Sequence, residues 1–103
     1  MEIKFHGQSC FEITEGDTTV LTDPFLKPNN PIDIAILPIG GHYTMDRHDA
    51  VVAAQFVGAD TVIPMHFDTF PPIETDSAAF KADVEAAGAG TVVVLKPGES
   101  HSA

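Results

Sequence analysis

The sequence predicts an α/β domain in which a mixed β-sheet is covered by helices on at least one face. Short runs of alternating apolar and polar residues fill the first part, and from residue 32 onward apolar runs alternate with helix-like segments. The alternation of strand and helix requires crossovers between parallel strands. A chain of 103 residues has room for one core. We therefore expect a single domain over 1–103, with a β-meander and loop in 1–31 and a β-α-β-α-β unit in 32–103.

The opening meander is delimited by its turns. Gly7 and Gln8 separate the first two alternating runs, and the letters EGDT at 15–18 are a strong turn signal before the third run. The segment 23–31 contains three prolines and two asparagines, so it is predicted to be a loop. The strands predicted here are 2–6, 9–14 and 19–23.

Strands and helices are predicted to alternate in the second part. A continuous apolar run is typical of a buried strand, and the first such run ends at Gly40. Either Thr44 or Asp46 can cap the first helix, and Asp76 can cap the second. The predicted strands are 33–39, 61–65 and 91–95, and the predicted helices are 46–57 and 76–87. Apolar residues that stack along one helix face are Val52 with Phe56, and Phe80 with Val84 and Ala87.

The charge balance is strongly negative. Fifteen acidic and five basic residues give a formal net charge of −10, which repels nucleic acid. Such an acidic composition resembles that of halophilic proteins, because high salt screens the self-repulsion. No apolar run approaches the roughly 18 to 20 residues of a membrane helix, and the start lacks a signal-peptide pattern. We therefore expect a cytoplasmic protein with neither nucleic acid nor membrane as a partner, and Cys10 as a buried structural thiol.

Four polar side chains follow strand-like runs and are candidate metal ligands. His66 ends the apolar run before the letters FDTFP, and a nearby carboxylate at Asp68 could orient its second ring nitrogen. His42 follows a Gly-Gly turn, and Asp23 precedes a proline that holds it extended. His6 precedes Gly7. If these strands lie in one sheet, the four groups could converge on a divalent metal.

Each candidate also has a structural interpretation. His66 could cap loop carbonyls, His42 could be a polar loop residue, and Asp23 could open an ordinary turn. For His6 the favoured role is a hydrogen bond across the cleft that holds the loop after Asp23. His48 and His101 are most simply solvated. There is no nucleophile elbow or phosphate-binding loop, so metal-assisted chemistry is the catalytic hypothesis with several candidate residues.

Four motifs together resemble one enzyme family. They are KFHGQSCF at 4–11, TDPFL at 22–26, IAILPIGGHYTM at 34–45 and PMHFDTFP at 64–71. They are similar to the metallo-β-lactamase superfamily, and most of all to the predicted metal-dependent hydrolases related to the ascorbate-phosphate lactonase. The resemblance implies a fold of roughly half that family's size, since the central region with the His-x-His-x-Asp-His signature is missing here.

The resemblance also sets the expected function. In the family a metal-bound hydroxide attacks an ester, lactone or phosphodiester. Of the family's metal ligands only His66 maps clearly onto this chain, while Asp23 matches a residue that supports the metal loop. We therefore expect a shortened hydrolase with weak Zn or Mn binding and weak or absent activity. The alternative is a non-catalytic structural module that forms a homodimer or larger assembly, because halving a sandwich exposes apolar surface.

Overall fold

The computed structural model describes residues 1–24 and 31–102, which contain one six-stranded mixed sheet and two α-helices. The predicted α/β class with a mixed sheet is confirmed. Most of the loop predicted at 23–31 lies outside the described residues. The strands are β1 (Glu2–Gly7), β2 (Cys10–Glu15), β3 (Thr18–Thr22), β4 (Ile34–Pro38), β5 (Thr61–Met65) and β6 (Thr91–Val92), and the helices are α1 (Arg47–Val57) and α2 (Ser77–Ala86).

The strands lie in the sheet in the same order as in the sequence. β1, β2 and β3 form an antiparallel meander, whereas β3, β4, β5 and β6 are mutually parallel. Parallel pairing brings the carboxyl ends of β3, β4 and β5 to one edge of the sheet. Because β1 runs in the same direction as β3, its carboxyl end lies at that edge too.

Both helices begin at an aspartate whose side chain satisfies a free backbone N–H group. The Asp46 carboxylate accepts a hydrogen bond from Asp49 N at 2.8 Å, and the Asp76 carboxylate accepts one from Ala79 N at 2.9 Å. α1 ends where Gly58 adopts a left-handed conformation and donates its N–H to Ala54 O. Asp46, one of the two predicted caps for α1, is therefore the one used.

The core lies between the helices and one face of the sheet. α1 contributes Ala50 and Ala54 to it, whose small side chains let the helix approach the sheet closely. The Val52 and Phe56 pair, stacked one turn apart as predicted, is instead exposed. From α2, Phe80 and Val84 are buried. The sheet residues in this core are Cys10, Leu21, Ala35, Leu37, Val62 and Val92.

The last strand is shorter than predicted. Residues 91–95 read as a strand, but β6 contains only Thr91 and Val92, paired with Thr61 and Val62. Val93 N still donates to Val62 O, and the next residue of β5 that faces this side is Pro64. Proline has no N–H group, so the ladder between β5 and β6 cannot continue there.

A turn of 3-10 helix, Pro71–Ile73, was not predicted from the sequence. It follows β5 and buries Ile73, which helps to close the connection from β5 to α2. Proline in the first turn is compatible with this geometry because its missing N–H would be unpaired anyway. Among the residues that the structure describes, no helix is long and apolar enough to cross a membrane.

Candidate functional site

The carboxyl edge of the sheet carries all four candidate residues, and three of them follow the neighbouring strands β3, β4 and β5. Asp23 directly follows β3, and its N–H donates to Ile36 O at 2.8 Å. His66 directly follows β5. His42 comes four residues after β4, beyond Ile39, whose N–H donates to Met65 O at 3.1 Å. The topology thus places Asp23, His42 and His66 along one edge of the sheet, on neighbouring strands.

The backbone is strained at each of these positions. The φ angles are 40° at Asp23, 61° at His42 and 58° at His66, and Asp68 follows with 62°. The extended backbone predicted for Asp23 before Pro24 is therefore wrong. Residues other than glycine seldom adopt positive φ, although Asp and His do so more often than most. Such conformations persist where the surrounding structure fixes them, and they concentrate at functional sites. The chain therefore turns sharply after β3, after β4 and after β5, in each case at an ionisable residue.

Gly40 determines how closely the ends of β4 and β5 approach. A side chain at residue 40 would overlap the backbone carbonyl oxygen of His66, and its Cβ would lie 2.9 Å from the Cβ of Ile73. Only glycine leaves the space that this contact needs. Gly40 thus sets the position of the His66 backbone.

Asp68 closes the loop that follows His66. Its N–H donates to Ile73 O at 3.0 Å, and its Oδ1 accepts from Thr75 N at 2.8 Å. Among the described residues no hydrogen bond joins Asp68 to His66, so the carboxylate holds the loop rather than orienting the imidazole. The structure therefore assigns Asp68 a different partner from the one that the sequence suggested.

A cleft of about 680 Å³ opens beside His66, between the loop after β5 and the segment 94–99. This volume lies in the range of small-molecule sites. The polar side chains that line it are His66, Asp68, Thr69, Ser77, Lys96 and Glu99. Lys96 N donates to Glu99 Oε1 at 2.6 Å, which fixes the turn at the cleft rim. No local sequence pattern indicates that 94–99 borders the cleft, because a contact between distant segments leaves no such pattern.

The exposed His42 ring contacts the ring of Tyr43. The His42 and Tyr43 rings meet edge to face at 4.3 Å between centroids, and the Tyr43 ring lies 6.2 Å from that of Phe70. Such contacts stabilise an exposed loop modestly and present an apolar surface to solvent. Tyr43 directly follows the candidate His42 in the sequence, and this position could have identified it as a residue near the candidate site.

His6 lies apart from the other candidates. Its Nε2 is 3.3 Å from Glu12 Oε1 on the adjacent strand β2, a contact different from the predicted hydrogen bond across the cleft. β1 is four strands away from β5, and strands are spaced by about 4.8 Å, so His6 and His66 are separated by roughly 19 Å. One metal ion cannot bind both within one chain.

Comparison with known proteins gives a consistent result. A family model described as the Beta-lactamase superfamily domain matches residues 26–66. A UPF0173 metal-dependent hydrolase of Pelotomaculum thermopropionicum is 44% identical over 99 residues, which cover 95% of this chain and 42% of that protein. A UPF0173 metal-dependent hydrolase of Ignicoccus hospitalis is 51% identical over 86 residues, covering 82% of this chain and 37% of that protein.

The fold shows the same relationship. The solved structure of Igni18, a novel metallo hydrolase from Ignicoccus hospitalis, superposes with a TM-score of 0.78 and 37% identity, covering 87% of this chain and 43% of that one. The chain is a homologue of the UPF0173 metal-dependent hydrolases. The family resemblance predicted from the four motifs is confirmed. The chain spans about two fifths of the length of the UPF0173 relatives that it matches.

The names of the UPF0173 relatives describe them as metal-dependent. The question for this chain is therefore whether its side chains could bind a metal ion. Within residues 1–24 and 31–102, no three His, Cys, Asp or Glu side chains are grouped so that they could hold a metal ion. A catalytic zinc site uses about three protein ligands and an open position. The described residues therefore do not fit a complete metal centre, and the roles of His66, His42, His6 and Asp23 as metal ligands stay a prediction.

Proposed function

We propose that this chain is a shortened metal-dependent hydrolase of the metallo-β-lactamase type whose own hydrolytic activity is weak or absent. The relationship to the UPF0173 hydrolases supports the hydrolase ancestry. The observation that supports weak or absent activity is that no three His, Cys, Asp or Glu side chains among the described residues are grouped to hold a metal ion. In complete enzymes of this kind the metal activates a water molecule for attack on the substrate.

The cleft beside His66 is the place where any residual binding would occur. The His66 imidazole stands at the end of β5. Lys96 also lines the cleft, and its ammonium group has no ion pair among the described residues. An imidazole and an ammonium group can bind an anionic or carbonyl-containing small molecule. Zn or Mn would bind here weakly, because a single imidazole supplies one of the several ligands that a divalent ion takes.

Calorimetric titration with Zn²⁺ and with Mn²⁺ tests this proposal, combined with hydrolysis of a nitrophenyl ester and a nitrophenyl phosphodiester. We expect metal binding no tighter than about 0.1 mM, and turnover equal to that of His66→Ala under the same metal. The matched control is His48→Ala, which removes an exposed histidine from the first turn of α1, away from the cleft. It should bind metal as the original chain does.

Two results would contradict the proposal. Tight binding of one metal per chain, lost in His66→Ala and kept in His48→Ala, would show that a complete site forms. Turnover with the same dependence on His66 would show that the chain is a working enzyme.

A non-catalytic module that associates with itself is the second candidate function. The observation in its favour is a set of large apolar side chains on β1 and β2 that are exposed to solvent. Such a surface is more typical of an interface than of an isolated monomer. The hydrolysis assay does not report on this function, which needs a measurement of mass in solution.

A further inference from the structure

We infer that two copies of this chain associate through the sheet face opposite the helices, with Phe5 and Phe11 in the contact. This inference gives the second candidate function its surface and does not depend on hydrolysis. We call this surface the open face. It is defined by the side chains of Ile3, Phe5, Phe11, Ile13 and Val20.

The open face is identified by strand register. Ile3 pairs with Ile13 and Phe5 pairs with Phe11, so these four side chains lie on one side of the sheet. Val20, which pairs with Ile13, continues the same side onto β3. The helices lie on the other side, where the core residues of the strands are found.

The β1–β2 hairpin has its polar side where the helices lie. Lys4 pairs with Glu12, and His6 contacts the same glutamate, on the helix side of the sheet. A hairpin with this alternation is normally buried on its apolar side, which here is the side opposite the helices. The hairpin is therefore patterned to be covered on the face that both helices leave free.

Exposure of the apolar side chains is high. Phe5 is 60% exposed, Ile3 is 58% exposed and Phe11 is 38% exposed, while the Phe5 and Phe11 rings lie 5.0 Å apart. Two neighbouring aromatic rings exposed on β1 and β2 have the chemistry of an interface anchor. Register places Ile36 and Ile63 on the same side, where both are half-buried, while Ile34 on that side of β4 is buried. The most exposed apolar surface is therefore on β1 and β2.

The area of the sheet is suited to a second copy. The five longer strands, about 4.8 Å apart and about five residues long at roughly 3.3 Å per residue, span roughly 400 Å² in flat projection. Side chains that stand out from the sheet raise the accessible area toward the roughly 800 Å² per partner of a standard interface. Two sheets stacked face to face would pack as the layers of a β-sandwich do.

The placement of charged side chains on the strands is compatible with a copy of the same chain, although the net charges of two copies repel each other. Each copy carries a formal net charge of −10, and a face-to-face arrangement keeps Glu2, Lys4 and Glu12 on the outside. On the open side the strands carry one charged residue, Glu15, at the end of β2.

Sedimentation equilibrium measurement of mass tests the inference, over a range from 1 to 200 µM chain in moderate salt. We expect the original chain to have twice its mass of 11.0 kDa. Phe5→Glu should weaken the dimer about 100-fold or more, because each interface would bury two carboxylates in place of two rings. Phe5→Leu keeps the apolar contact and should remain a dimer.

The matched control is Phe56→Glu. Phe56 is 62% exposed on α1, which is close to the exposure of Phe5, but it lies on the helix side of the molecule. It should leave the dimer intact. Circular dichroism verifies that each variant folds, and folding is expected since both rings are exposed in the single chain.

Three results would overturn the inference. The original chain could stay at 11.0 kDa throughout. The dimer could survive Phe5→Glu. It could also be lost in Phe56→Glu, which would show that the exposed side of α1 takes part in the interface. None of these results depends on the metal titration or the hydrolysis assay, so the two proposals fail separately.

Discussion

Gly40 packs against the backbone of His66, with no room for a side chain between them. This contact joins the end of β4 to the turn after β5, and it positions the one residue that the family resemblance marks as a retained metal ligand. A small residue in one segment thus controls the geometry of a functional candidate in another.

Gly40→Ala is expected to destabilise the fold by about 1 to 3 kcal/mol, because the added methyl group must displace the His66 carbonyl or the Ile73 side chain. Urea denaturation measures the change in free energy of unfolding. The control is Gly16→Ala, where a Cβ meets nothing within 4 Å but φ is +60°. Gly16→Ala should cost about 1 kcal/mol through its positive φ, a strain that Gly40 does not have, and it should leave the amide NMR signals of 66–73 unchanged, whereas Gly40→Ala should shift them.

Substitutions at His42 should reveal strain at the sheet edge. With φ at 61° and an exposed side chain, His42→Gly should be more stable than His42→Val by about 1 to 2 kcal/mol. Thermal and urea denaturation of both variants give the difference. Equal stability of the two variants would mean that the backbone at 42 is not held in the left-handed region in solution.

Asp68 should control the opening of the loop 66–75. Asp68→Gly tolerates the positive φ but removes the oxygen that accepts from Thr75 N, whereas Asp68→Asn keeps an equivalent acceptor. We expect amide exchange at Thr75 to be about tenfold faster in Asp68→Gly and nearly unchanged in Asp68→Asn, as loss of one hydrogen bond of about 1 to 1.5 kcal/mol implies. Similar exchange in both variants would show that the Asp68 side chain does not hold the loop.

Glu85 should make the stability depend on pH. The hydrogen bonds from Lys81 and from Val92 N lower the pKa of the Glu85 carboxyl, against a smaller opposing effect of desolvation. A pKa that is lower in the folded state adds stability above the unfolded value of about 4.3, and this stability is lost as the pH falls through the folded value. The free-energy difference between the original chain and Glu85→Gln should thus be largest near pH 7 and decrease to a constant value at strongly acidic pH.

The same two side chains satisfy the outer edge of β6. Glu85 Oε2 accepts from Val92 N at 3.0 Å, and Lys81 Nζ donates to Val92 O at 2.7 Å. An edge strand of two residues is therefore completed by side chains of α2 instead of by another strand. If the stability difference for Glu85→Gln did not depend on pH, this arrangement would not persist in solution.

Local patterns determined most of the secondary structure. The alternation in the meander, the aspartates that cap both helices and the apolar run before Gly40 each act through neighbouring residues, and all three were predicted. The predicted end of β6 was wrong by three residues, because the observed end depends on Pro64 in the neighbouring strand. The side of α1 that packs on the sheet is the side with Ala50 and Ala54. The small size of these residues becomes important only when a sheet lies beneath the helix.

The sequence by itself determined that an α/β domain forms, that Asp23, His42 and His66 follow strands, and that the chain is related to the metallo-β-lactamase superfamily. Only the tertiary structure decided which of these groups are neighbours, that Asp68 binds Thr75 N, and that the segment 94–99 borders the cleft. The physical reason is that the periodicity of helices and strands, and the caps of helices, depend on interactions between residues only a few positions apart. The distance between two side chains depends instead on strand order and on close contacts such as that of Gly40 with His66, which connect segments far apart in the chain.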